Sequence, residues 1–342
     1  RLVAKYGVET LKTAFTEVQD YVERLVRQRL ADLPDGSWHT IDYMDQDPGQ
    51  PEGMIPIHVR MNIIGDRVEF DLTGSHPTIG TIYNAAFGGT YAGIVAGIKT
   101  FFADIPLNSG LYRAVTVTVP DDTVVSARWP VAVSGMVMPF EKIMNAIFEL
   151  FSGLMPERAM ACAFNIEYLQ TGGYDTRYPG RPYFMFYDWL SGGWGGRRGR
   201  DGLGVTASPF GAGLMTQPVE GQERLCPVRV DRMEIVTDSG GPGESRGGVA
   251  LEKASTVLDV DGAVISYICD RERSVVWGLE GGLPSCPHGL WLEQDGVERF
   301  LGAIFSDVPI KRGDRFRRGT AGGGGLGDPL ARDPQRVLAD LA

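Results

Sequence analysis

Apolar residues recur at three- and four-residue intervals through Val8, Leu11, Phe15, Val18, Val22, Leu25, Val26 and Leu30, which predicts an amphipathic helix ending near Leu33-Pro34-Asp35-Gly36. The period then shortens to two. Ile57, Val59, Met61 and Ile63 alternate with polar neighbours over 55–64, Gly65-Asp66 turns the chain, and 68–72 returns it as the second arm of a hairpin. Residues 83–102 read as a Gly- and Ala-rich helix suited to close packing, 111–119 as a strand, and 141–154 as a buried helix carried by Ile143, Met144, Ile147, Phe148 and Phe151. After about Pro156 the texture changes to short β-branched or aromatic runs separated by glycine and proline. Strands are expected at 183–188, 228–236, 251–258, 263–269, 289–294, 297–301 and 314–317, with Asp261-Gly262 and Asp295-Gly296 as hairpin turns. The expected fold class is α+β. A part mixing helices and strands (1–155) precedes a predominantly antiparallel, β-rich part (156–342), and no repeat of twenty to fifty residues points to a propeller or solenoid.

Two glycine clusters break this pattern, Asp238-Ser239-Gly240-Gly241-Pro242-Gly243-Glu244-Ser245-Arg246-Gly247-Gly248 and Ala321-Gly322-Gly323-Gly324-Gly325-Leu326-Gly327-Asp328-Pro329. Glycine tolerates positive φ and lets a backbone or ligand approach where a Cβ would obstruct it, so both clusters imply sharply shaped loops and not flexible linkers. They are either tight connections between strands or a concavity of exposed amides, including those of Gly323 and Gly324, for an anion or a partner. Neither has the spacing of a P-loop.

A formal net charge of −10 with no basic stripe argues against nucleic acid, and no apolar run reaches the length of a membrane span. Cys162, Cys226, Cys269 and Cys286 form no Cys-x-x-Cys pair, which favours reduced thiols in a cytoplasmic setting. His39, His58, His76 and His288 fall in no metal-binding spacing. Thr237-Asp238-Ser239-Gly240-Gly241-Pro242 resembles the nucleophile segment of trypsin-like proteases, but no histidine lies in the context that chemistry requires. The chain also opens inside a helical pattern and reads as a piece of something longer.

Charged residues beside the glycines are the better candidates. Arg197 and Arg200 lie in a glycine-rich loop suited to carboxylate or phosphate recognition or to a subunit contact, and Asp270-Arg271 follows a strand and either pairs internally or binds a ligand. With Asp238, Ser239, Arg246, Gly323 and Gly324 they make up the candidate ligand- or partner-binding set. No residue is assigned as catalytic.

Eight marks then run in order along the chain: Leu33-Pro34-Asp35-Gly36, Asp71-Leu72-Thr73-Gly74-Ser75, Asp104-Ile105-Pro106-Leu107-Asn108-Ser109-Gly110, Gly192-Gly193-Trp194-Gly195-Gly196-Arg197, Asp238 to Gly243 with Arg246-Gly247-Gly248, Asp270-Arg271, Trp277-Gly278-Leu279-Glu280-Gly281-Gly282, and Gly322 to Pro329. Together they resemble the C-terminal two thirds of the hydantoinase B/oxoprolinase family. The resemblance implies a B-type subunit of an ATP-dependent complex, in which a hydantoinase A-type partner uses ATP to phosphorylate an amide or enolate oxygen. Hydrolysis of a cyclic amide such as a hydantoin or 5-oxoproline would follow. A component of an acetone- or acetophenone-type ketone carboxylase, or a non-catalytic scaffold completing a separately encoded chain, are the alternatives. Family members carry a Gly-Gly-Thr-His-x-x-Asp segment, whereas Gly88-Gly89-Thr90 here precedes Tyr91. The resemblance therefore implies a divalent metal held outside these 342 residues, by an N-terminal B-type segment or chain.

Overall fold

Gly7, at φ 79°, divides the first amphipathic stretch into α1 (Leu2–Tyr6) and α2 (Val8–Ala31). Val22, Val26 and Leu30 are fully buried while Phe15 and Val18 are exposed, so the apolar stripe is covered only in its C-terminal half. The computed structural model describes residues 1–45, 53–211 and 213–341. By contacts the chain forms two units, Arg1–Asp42 with Pro56–Pro156, and Tyr43–Ile55 with Glu157–Ala342.

In the first unit β1 (Gly36–Met44), β2 (Ile55–Ile64), β3 (Arg67–Asp71) and β4 (Val115–Thr118) form one sheet in sequential order. The alternation in β2 fixes its register, since Ile55, Ile57, Val59, Met61 and Ile63 are all buried and a one-residue slip would expose all five. β3 and β4 run parallel, and the connection a parallel pair needs carries α3 (Phe87–Phe101) and α4 (Ser109–Tyr112). α5 (Val137–Leu154) packs on α3 where Gly97 has no side chain, since a Cβ there would lie 2.7 Å from Ile147 Cγ2. Several expected boundaries move. The helix expected from residue 83 begins at Phe87, because the Asn84 side chain is spent on the backbone of Ile79, Thr81 and Ala132. The strand expected over 111–119 is first a helical turn, capped by Asn108 accepting from the Gly110 amide, and then only the short β4.

The second unit adds β5 (Glu167–Asp175), β6 (Tyr183–Asp188), α6 (Val219–Leu225), β7 (Val228–Ile235), β8 (Leu251–Val257) and β9 (Val260–Cys269). It continues with β10 (Leu290–Gln294), β11 (Val297–Gly302), β12 (Ile304–Ile310), β13 (Arg315–Gly319) and α7 (Pro334–Asp340). Its two sheets, ordered β11-β10-β13-β8-β7 and β12-β9-β5-β6, are antiparallel throughout. The fold is thus α+β, as expected. β1, β5 and β12 were not foreseen, β5 being masked by Gly172-Gly173 and β12 by Asp307, at φ 56°, and Pro309.

The first glycine cluster does connect two neighbouring strands, β7 and β8, but neither cluster is a tight turn or an open concavity. Extended segments around residues 159–164, 192–204, 240–249, 277–283 and 321–327 pack backbone on backbone and exchange amide hydrogen bonds between distant parts of the chain. Gly193 donates to Ala321, Gly196 to Gly324, Gly241 to Gly323, Gly248 to Trp194 and Gly325 to Leu283, at 2.8–3.0 Å. Positive φ is not the reason for these glycines, since of Gly322 to Gly327 only Gly327 has one. Close approach is. A Cβ on Gly323 would sit 1.9 Å from the Trp194 oxygen, one on Gly247 1.9 Å from the Gly323 oxygen, and one on Gly325 1.9 Å from the Pro242 oxygen. Small apolar clusters flank this glycine core, Cys162, Phe164, Val276 and Ala321 under Trp194 and Trp277, and Ala159, Ala161 and Leu326 under Leu279.

Because these obstructing atoms are backbone, they cannot swing away. Gly323→Ala should lose more than about 4 kcal/mol in denaturant unfolding, or fail to fold. Gly153→Ala is the control: that site is an exposed position in α5 where a Cβ meets nothing within 4 Å, and the change should leave stability level or raise it by up to about 1 kcal/mol. A Gly323→Ala protein within about 1 kcal/mol of the wild type, the range of a neutral surface change, would contradict the packing argument.

Candidate functional site

At the rim of the glycine core a cavity of about 350 Å³ is lined by Asp238, Arg246, Arg332 and Asp340, with Val249 and Val337 among its apolar walls. Asp238, at φ 54°, marks the turn where β7 leads into the first glycine segment. Arg246 is fixed by its main chain, whose N–H donates to Asp201 Oδ1 at 2.7 Å, while its guanidinium pairs with Asp340 at 3.3 Å and its Nε has no hydrogen-bond partner. Asp201 in turn receives both terminal nitrogens of Arg332, at 2.8 and 2.9 Å, and Arg336 at 2.6 Å. Burial works to raise the Asp201 carboxyl, but the Arg332 guanidinium, the Arg246 amide and Arg336 outweigh it and hold it at about 2. The α7 segment is therefore fastened over the cavity by ion pairs. Two guanidiniums, two carboxylates and an apolar wall suit an amphiphilic ligand or a peptide segment.

The other candidates lie elsewhere. The Ser239 hydroxyl donates to the Val236 oxygen at 2.6 Å and accepts from the Ala250 amide at 2.8 Å, so it cross-links two segments. Gly323 and Gly324 spend their amides on the Gly248 and Cys162 oxygens, both at 2.9 Å, which leaves neither amide for an anion. Arg197 and Arg200 exchange two main-chain bonds around Gly199, at φ 70°, and present an exposed Arg200 at a turn. Asp270 and Arg271 are fully buried. Asp270 Oδ1 accepts from the Asp45 and Arg271 amides, and the Arg271 guanidinium donates to Asn165 Oδ1 and to the Ser274 and Val275 oxygens. These hydrogen bonds hold the loop after β9.

Sequence reasoning missed the principal polar feature of the interior. Arg318 on β13 pairs with Glu167 on β5 and Asp188 at the end of β6, and Lys253 on β8 reaches Asp188 at 2.7 Å and also donates to Gln222 on α6. Burial pushes the Glu167 carboxyl up, against the nearby Arg318, and pushes the Lys253 ammonium down, with Arg318 adding to the effect. Two cations and two anions thus link the two sheets. A signal existed, since Lys253 shares the inward phase of β8 with the buried Leu251, Ser255 and Val257.

Close to this network Cys269 Sγ lies 2.9 Å from His288 Nε2. Burial raises the thiol well above its usual range and lowers the imidazole to about 4, so both are neutral near pH 7 and the pair is no thiolate–imidazolium nucleophile. No group of three or more His, Cys, Asp or Glu side chains among the described residues is placed to hold a metal. No helix among them is long and apolar enough to cross a membrane.

The hydantoinase B/oxoprolinase family profile matches residues 1–329. The chain is 26% identical over 357 aligned residues to the B-type component of a putative D-/L-hydantoinase from Pseudomonas sp. (strain NS671), covering 99% of this chain and 58% of that protein. It matches the crystal structure of the ATP-dependent caprolactamase from Pseudomonas jessenii with a TM-score of 0.80 and 26% identity, over 99% of this chain and 60% of the other. Nucleotide-free acetone carboxylase shares the fold, with a TM-score of 0.89 at 20% identity, over 99% and 52% of the two chains. The chain thus spans little more than half the length of these relatives.

The buried imidazole has a measurable consequence. His288 titrates at about 4 in the folded protein and at about 6.5 unfolded, so its contribution is complete above pH 6.5 and is lost as pH falls from there to about 4. That amounts to about 3 kcal/mol. Denaturant unfolding at pH 7.5 and 4.5 should show the wild type losing more stability than His288→Gln by roughly that amount; equal losses would contradict a neutral, buried His288.

Proposed function

The chain belongs to the hydantoinase B/oxoprolinase family, and from that premise we propose that it is the larger part of a B-type subunit acting within an ATP-dependent complex that opens a cyclic amide. The observation that carries this reading is the family match over residues 1–329, supported by relatives named as hydantoinase and caprolactamase subunits. A cyclic amide is a poor electrophile, because its nitrogen lone pair is delocalised into the carbonyl. An A-type partner that phosphorylates the amide oxygen at the expense of ATP removes that protection, and the B-type subunit then supplies a shielded place where water adds to the activated carbon, the ring C–N bond breaks with the nitrogen taking up a proton, and the phosphoryl group is released to a second water as inorganic phosphate.

The residues described here would contribute shape and positioning. Asp238 and Arg246 line a cavity whose charged side chains suit a ligand carboxylate or carbonyl oxygen, and the exposed Arg200 turn is available to a partner protein. We place the complex in the cytoplasm, a setting supported by four free cysteines, three of them buried.

Purified with its A-type partner, the full-length protein should convert hydantoin, 5-oxoproline or caprolactam to the ring-opened acid with one ATP hydrolysed per ring. Omitting either ATP or the A-type partner should return the rate to background. Bicarbonate-dependent consumption of a ketone with no amide opening would transfer the assignment to the carboxylase branch, and ring opening without ATP would refute the proposal.

A further inference from the structure

β6 is an outer strand of its sheet, and among the described residues no strand pairs along its free side. Natural sheets blunt such an edge with lysine, proline, a bulge or a cover. From Tyr183 to Tyr187 there is no charge, proline or glycine, and the register with β5 runs unbroken from Leu169↔Asp188 to Tyr174↔Tyr183. Tyr183, Met185 and Tyr187 are 64%, 73% and 48% exposed, so among the described residues nothing covers this unblunted strand.

Two further features are specific. The Asp175 amide donates to the Pro182 oxygen at 2.9 Å, which sets the hydrogen-bonding phase between β5 and β6. In an antiparallel ladder the phase alternates, so the N–H and C=O groups of Tyr183, Met185 and Tyr187 point away from β5 toward the open side. The sequence Tyr183-Phe184-Met185-Phe186-Tyr187 also reads the same in both directions.

We propose that β6 is a self-association edge, along which two copies of this chain pair antiparallel about a two-fold axis at Met185. Tyr183 of one copy then faces Tyr187 of the other, Met185 faces Met185, and Phe184 faces Phe186, so every cross-strand neighbour is aromatic or Met. The facing residues are those whose backbone groups point outward, so each facing pair at Tyr183, Met185 and Tyr187 exchanges two hydrogen bonds. A register shifted by one residue would break both agreements.

A foreign strand could use an open edge of any sequence, whereas a palindrome in phase with the free backbone groups is a condition that only self-pairing imposes. Covering the three exposed side chains and the edge backbone on both copies buries at most on the order of 1,000 Å², the low end for a specific interface. The dimer is accordingly reversible, with a dissociation constant in the micromolar range.

Analytical ultracentrifugation of the chain between about 1 µM and 200 µM should record a monomer–dimer equilibrium. Met185→Lys places two ammonium groups on the axis and should weaken the dimer about a hundredfold or more, and Met185→Glu should do the same with two carboxylates. Since Met185 is exposed, both variants should keep the wild-type circular dichroism and melting temperature. An equimolar mixture of the two should restore dimerisation, because lysine then meets glutamate. The proposal is overturned if the wild type stays monomeric at the highest concentration, if Met185→Lys dimerises as the wild type does, if the mixture fails to restore the dimer, or if hydrogen exchange in β6 slows only when an A-type partner is added.

Discussion

Close approach of one peptide backbone to another is the constraint on which the second unit is built. Where Gly193, Gly247, Gly323, Gly324 and Gly325 meet their neighbours, a Cβ would stand 1.9–2.1 Å from a carbonyl oxygen that belongs to a distant stretch of chain. Apolar side chains normally fill a protein interior, and here peptide groups do. The hydrogen bonds that ladders supply elsewhere are supplied by segments that qualify as strands almost nowhere, and are joined by isolated bridges such as Ser245↔Leu326 and Leu279↔Leu326. Such packing satisfies the buried amides while excluding every side chain larger than hydrogen.

That constraint decides what the glycine clusters can do. Amides engaged inside a packed core do not cradle an anion, and the cavity that Asp238 and Arg246 border lies at the rim, beneath α7. The adjoining sheets carry a charged network at their interior. Glu167, Asp188, Lys253 and Arg318 each satisfy hydrogen-bonding groups that an apolar replacement would leave unpaired, and breaking a buried pair on one side leaves a stranded charge. Rigid core, charged link and polar rim are properties of the fold; the ring-opening chemistry proposed for the complex draws on them for positioning.

Much of this was legible in the sequence, and what was not has physical causes. The hairpin of β2 and β3 could be read because alternation and Gly65, at φ 59°, agree, and α5 because its apolar residues are too dense for a surface helix. β5 was hidden because Gly172-Gly173 reads as a break, although Gly173 only makes room for the Ala263 backbone, which a Cβ would approach to 2.7 Å. The glycine clusters were conspicuous, yet their role could not be read locally, because each segment packs against residues from far along the chain, as Gly193 does on Ala321. Among the candidate residues, Arg246 and Asp238 reached a cavity and Asp270 and Arg271 turned inward. The partners that fix Arg246, Asp201 and Asp340, lie far off in the chain and carry no local signature.

Amide hydrogen exchange of the native protein tests the central claim most directly. If the glycine segments form a packed core, the amides of Gly193, Gly196, Gly241, Gly323 and Gly324 exchange only through global unfolding, with protection matching the unfolding free energy found by denaturant titration. Exchange of those amides at rates typical of open loops, while the strands of the adjoining sheets remain protected, would contradict it.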